Sequence, residues 1–184
     1  GTRGPNRKSP PIGNNRQSHN TRTTAGRRRK MAARHISCWD RASPSGRSRR
    51  AVAVFVQVAQ ALDYGFRAGV IHREVRPNTM MVNEDGQAKL ADLGLVKDEH
   101  TRFLDGENAF YVAPEQITGG AVDTRSDIYS LGCCLFHCLT GEAPFEGGAP
   151  KEALHRRLNT AVPDPLEFNE NLPSDLAKVV TKMM

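Results

Sequence analysis

Large apolar residues are sparse over the first fifty positions and then recur at helical spacing. Ala51, Val54, Phe55, Val58, Ala61 and Leu62 share one face, with Gln57, Gln60 and Asp63 opposite. That period predicts an amphipathic helix from Ala51 that ends near Gly65 or Gly69. Two short apolar runs follow, residues 80–82 and 89–91, joined by Glu84-Asp85-Gly86. Asp-Gly between two such runs predicts a β-hairpin. The chain turns polar from residue 95 to 113, then carries an almost uninterrupted apolar stretch from Ile128 to Leu139. Thr124 and Asp127 form a T-x-x-D capping pattern ahead of it and Gly141 closes it, which predicts a buried helix over 123–141. Residues 150–159 suggest a short helix and 163–171 a loop. Pro173-Ser174-Asp175 opens a last helix over 176–184.

Charge divides the chain at the same place. Residues 1–50 hold fourteen Lys/Arg and one acid, whereas residues 51–184 hold twelve Lys/Arg and nineteen acids. The net +6 therefore belongs to the first segment. Its Arg, Ser, Gly, Asn and Pro cannot bury enough apolar surface to offset ordering entropy, so 1–50 is expected to be a disordered basic tail. Its densest cluster, Arg27-Arg28-Arg29-Lys30, would suit non-specific nucleic acid or another acidic surface; a solvated tail or a frame-disrupted reading fits the same composition. No apolar run approaches the roughly eighteen residues of a membrane span. The cysteines at 38, 133, 134 and 138 form no spaced disulfide framework, which points to reduced thiols and a cytoplasmic setting. Cys134, His137 and Cys138 make a nominal metal cluster, but inside a buried helix such cysteines behave as small hydrophobes.

Candidate chemistry concentrates in residues 71–94, I-H-R-E-V-R-P-N-T-M-M-V-N-E-D-G-Q-A-K-L-A-D-L-G. Glu74 and Asp92 stand at the ends of a loop and a hairpin. His72-Arg73-Glu74, the hairpin and Asp92-Leu93-Gly94 resemble the catalytic and metal-binding loops of protein kinases, H-R-D-L-x-x-x-N and D-F-G. Ala113-Pro114-Glu115, Asp127-Ile128-Tyr129-Ser130-Leu131-Gly132 and Gly141 to Phe145 extend the resemblance, which is closest to bacterial serine/threonine kinases. It implies an α+β, protein-kinase-like fold, mostly the helical large lobe, over 51–184. The small β-rich lobe is not recognisable in residues 1–50, and the family's closing helices, with the arginine that pairs with Glu115, are not reached by Met184.

The resemblance implies phosphoryl transfer from ATP·Mg²⁺ to a protein Ser or Thr hydroxyl. Glu74 takes the proton-accepting position, one methylene longer than the family's aspartate. Arg76 replaces the lysine that meets the transferred phosphate. Asp92 is the Mg²⁺ ligand and Thr79 falls where a second ligand, asparagine, is expected. Arg76, Thr79, Met81 and Asp92 are the cofactor-facing set, with residues 80–82 lying beneath the adenine. Glu107 and Asn108 stand where Gly and Thr usually precede the tyrosine of this region, here Tyr111. Asp127 is assigned to the backbone of the catalytic loop, His72 to packing, and Thr101 is a candidate phosphosite. Four departures at reacting positions imply a chain that is inactive or strongly impaired as it stands. A pseudokinase binding or scaffold module, or a nucleic-acid-associated protein acting through its basic tail, are the alternative readings.

Overall fold

A computed structural model describes residue 1, residues 44–93 and residues 106–184. The basic cluster, Gly94, residues 95–105 with Thr101, and the side chain of Glu107 lie outside the described residues. Apart from Gly1, the described residues belong to one compact unit, Met31–Met184.

The elements run α1 (Pro44–Arg67), a 3-10 turn (Pro77–Thr79), β1 (Met80–Val82), β2 (Ala88–Leu90), a second 3-10 turn (Gly106–Phe110), α2 (Pro114–Thr118), α3 (Thr124–Thr140), α4 (Pro150–Asn159), α5 (Pro165–Phe168) and α6 (Ser174–Met183). Helix α1 begins at Pro44, seven residues ahead of the expected start at Ala51. Proline suits the first turn because its φ is already helical and its missing N–H is not needed there. The helix runs through Gly65 and closes at Gly69, whose φ is 76°, with Val70 N–H bonded back to the Gly65 carbonyl. Ala51, Val54, Phe55, Val58 and Leu62 are buried as their spacing requires; Ala61 is exposed.

Helix α3 is the axis of the lobe. Seven of its residues from Tyr129 to Leu139 are buried in one hydrophobic cluster with residues of α1 and α6. Ile128 itself is exposed. Gly132 gives α6 room, since a Cβ there would lie 2.9 Å from that of Met183. Asp123, rather than Thr124, caps the helix, accepting from Arg125 N–H at 2.7 Å, and Gly141 closes it at φ 88°. Asp127 is released from capping and turns into the protein. Two short helices go beyond the expected elements: α2 directly after the polar segment, and α5 inside the stretch 163–171 expected as a loop; each starts with proline at its first position.

Strands β1 and β2 pair antiparallel in the register Met80↔Leu90, Met81↔Lys89, Val82↔Ala88, so the second strand sits one residue earlier than expected. Gly86 takes φ 78° in the turn. Gln57, on the supposedly outer face of α1, holds this hairpin. Its amide donates to Gly86 O at 3.0 Å and accepts from Ala88 N–H at 3.0 Å.

Candidate active site

The loop from His72 to Thr79 is fixed by buried polar groups from three directions. Asp127, 3 % exposed, accepts from His72 N–H at 2.8 Å and Arg73 N–H at 2.7 Å. Gln116 on α2 is buried and donates to Arg73 O at 2.9 Å while accepting from Ala113 N–H. His72 does more than pack. Its Nε2 meets Ala91 O at 3.0 Å, and its Nδ1 accepts from Glu74 N–H at 3.3 Å. That pattern selects the neutral, Nε2-protonated imidazole and joins the residue before Asp92 to the loop that carries Glu74. A further bond, Ala91 N–H to Thr79 O at 2.8 Å, ties the same two strands of chain.

Burial sets the electrostatics of this frame. It lowers the His72 pKa below its ordinary value, against the Ala91 bond and the charges of Asp127, Glu74 and Asp92. It raises that of Asp127, against the two N–H bonds and His72.

The residues expected to carry the chemistry sit at the rim. Glu74 and Arg76 are each about a quarter exposed and form an ion pair at 2.9 Å. With Arg73, Asn108, Tyr111, Val112 and Gln116 they line a small, open cleft. Asn108 therefore faces the same space as Glu74, as its position before Tyr111 implies. Tyr111 is held in turn by His137, its hydroxyl 2.6 Å from Nδ1. Asp92 and Met81 do not line this cleft. Both are exposed, Met81 at 42 % on the hairpin face opposite the buried Met80.

Arg73 and Asp92 adopt φ of 68° and 57°. Non-glycine residues in this region persist only where surrounding bonds impose them, and they concentrate at functional sites. Here the imposing bonds are those of Asp127, Gln116 and His72.

Thr79 is fully buried, and its hydroxyl accepts from Arg76 N–H at 3.1 Å within donating distance of Arg76 O (2.9 Å) and Glu74 O (3.1 Å). Its oxygen closes the loop on itself. The donor set therefore fits Mg²⁺ through one exposed carboxylate, Asp92, which suits an ion that keeps waters and phosphate oxygens in its shell. It does not fit a second protein ligand at Thr79 in this arrangement. Among the described residues no group of three His, Cys, Asp or Glu is placed to hold a metal. Cys133 and Cys134 are buried thiols, the former pushed up to about 11 by desolvation. Sequence reasoning missed Gln57 and Gln116; glutamine in an amphipathic or polar stretch carries no local sign of a tertiary partner.

A helical lobe that braces two acidic loops through one buried aspartate and one buried histidine has the layout of a phosphotransferase's large lobe. The family model described as "Protein kinase domain" matches residues 31–184, and the chain belongs to that family. It is 35 % identical over 144 residues to the serine/threonine-protein kinase PknB of Mycobacterium tuberculosis, covering 74 % of this chain and 23 % of that one. It is 34 % identical over 140 residues to the "Probable serine/threonine-protein kinase CPE1738" of Clostridium perfringens, covering 73 % and 20 %. A Clostridium acetobutylicum relative with a similar printed name is 32 % identical over 131 residues. The chain spans about a fifth of the length of these relatives. Among the described residues no helix is long and apolar enough to cross a membrane.

Proposed function

We propose that this chain forms the substrate-facing half of a serine/threonine protein kinase, with turnover strongly impaired. The observation that carries the reading is the cleft in which Glu74, Arg76 and Asn108 meet, braced by Asp127 and Gln116. A substrate hydroxyl in this cleft would give its proton to the Glu74 carboxylate as its oxygen bonds the transferred phosphorus and ADP departs. The Arg76 guanidinium would offset charge on the phosphoryl oxygens. Mg²⁺, when bound at Asp92, would supply neutralisation of phosphate charge. Met81, exposed on β1, is the surface we assign to the adenine.

Impairment follows from the same geometry. Arg76 occupies a Glu74 oxygen in the resting site, and the longer carboxylate displaces the accepting atom; a misplacement near 1 Å costs on the order of a hundredfold. The Thr79 hydroxyl is committed to its own loop, so metal binding would rest on Asp92. These features also favour the second reading, a binding module that takes a protein partner in the cleft without turnover. The buried thiols of Cys133 and Cys134 suit a reducing, cytoplasmic setting.

The test is radiolabelled phosphate transfer from ATP·Mg²⁺ to a generic basic protein, run with the wild-type chain and Asp92→Ala. Wild-type incorporation at background is the expected result. Rapid incorporation that Asp92→Ala abolishes would refute impairment and leave Glu74 as a working base. Binding of a serine peptide without transfer would favour the binding module.

A further inference from the structure

We propose that Arg157, on α4, is a positioning residue of the cleft: it fixes the turn that carries Asn108 and delivers Tyr111 against the catalytic loop. In calling that cleft an acceptor site the proposal rests on the reading above; the positioning itself does not. Arg157 is 5 % exposed. Its Nη1 donates to Ala109 O at 2.5 Å and its Nη2 to Phe110 O at 2.6 Å. One planar fork thus holds two successive carbonyls, which sets the direction of the peptide between Asn108 and Tyr111.

The guanidinium sits in a cage of rings rather than against a carboxylate. Its centre lies 5.8 Å from the Tyr129 ring and 5.4 Å from that of Phe145, within the range of a cation–π contact. No carboxylate among the described residues pairs with it, and its Nε is buried without a partner. Phe145 is itself held at φ 64°, where a bulky side chain is strained. The neighbouring Arg156 fixes the Phe145 carbonyl with bonds of 3.1 and 2.7 Å. A strained aromatic residue is therefore kept in place where its ring covers Arg157.

Packing anchors this turn on two sides: Ala109, Val112 and Leu154 form a small apolar cluster with Ile117 at its edge, and Phe110 and Tyr111 pack with the main core. Apolar contact is non-directional. The two charge-assisted bonds supply the direction, and an apolar residue filling the same volume would not. Asn108 and Tyr111, on either side of the held peptides, are both cleft residues with Glu74 and Arg76.

The 184-residue chain is compared with Arg157→Lys and Arg157→Met by amide hydrogen exchange, without nucleotide or peptide. A positioning role raises exchange over residues 106–112 by roughly tenfold or more while residues 128–139 in α3 keep their protection. Equal loosening of both regions, or no change over 106–112, overturns the proposal. If Arg157→Met does not fold, Arg157→Lys decides, because it keeps the caged charge and loses the two-pronged grip. Affinity for a fluorescent serine peptide is measured alongside. Weaker binding by Arg157→Lys, with no further loss on adding Asn108→Ala, supports the link to the cleft. A wild-type chain that binds no peptide counts against the acceptor-site reading and leaves the exchange result to judge Arg157.

Discussion

The frame of the site and its rim obey different rules. The frame is Asp127, His72 and Gln116, all buried, each bonded to the backbone of a loop it does not belong to. The rim is Glu74, Arg76, Asn108 and Asp92, partly or fully exposed, with Glu74 and Arg76 joined to each other. Glu74, Arg76, Thr79 and Asn108, where this chain departs from the kinase pattern, belong to the rim or to the loop turn beside it. His72 and Asp127 in the frame match the family's motifs. Removing a buried partner strands a donor in the interior, which threatens the fold. Changing a rim residue threatens only the reaction. Stability can therefore maintain the shape of a kinase lobe whatever the residues at its rim.

Asp127→Ala is the strongest way to break that contrast. It leaves the His72 and Arg73 N–H groups without their acceptor and should cost about 3 kcal/mol, read from a denaturant midpoint. A loss as small as that of a surface carboxylate would place Asp127 outside the frame. Glu74→Gln should cost less than about 1 kcal/mol, since its ion pair is partly solvated. Any residual transfer should nonetheless fall by roughly 10²-fold or more, because the proton acceptor is gone. A large stability loss with unchanged transfer would invert the comparison.

The smallest effect is a pH slope. Burial lowers the His72 pKa, so the unfolded chain binds that proton more readily than the folded one. The contribution of neutral His72 is fully present above its ordinary value of 6.5 and is lost as pH falls below it. Asp127, raised by burial, acts in the opposite sense from its ordinary 3.8 upward. The difference between wild type and His72→Phe, measured from pH 7.5 to 5.5, isolates the histidine. Wild type should lose stability relative to the variant across that window; parallel curves would remove His72 from the balance.

The long elements were legible because their signals are local. The period of α1 and α3, the Asp-Gly hairpin and the span of α4 follow from spacing and turn chemistry. Ala61 shows the limit: its spacing fits the stripe, but no neighbour covers it. At the head of α3, Asp123 and Thr124 are adjacent candidates for one cap, and the pattern T-x-x-D favours the wrong one because Asp127 has a stronger use elsewhere. In the site, Glu74, Arg76 and Asn108 meet as motif order implies, whereas the Thr79 hydroxyl is absorbed by its own loop. Gln57, Gln116 and Arg157 stayed hidden because each bonds to backbone far along the chain, and backbone acceptors leave no mark in composition.

The bond from His72 N–H to Asp127 spans 55 positions. On a ribosome adding roughly 5–20 residues per second, the catalytic loop is made about 3–10 s before the carboxylate that shapes it. Until Gln116 and then Asp127 are made, Arg73 lacks both side chains that hold it in its left-handed conformation, while the hairpin can already rest on α1 through Gln57. The reacting loop is thus among the last parts of the lobe to be finished, although it is written well before the middle of α3. A pause or truncation between residues 92 and 127 would release a chain with its acidic loops made but unshaped, a natural substrate for chaperones and proteases.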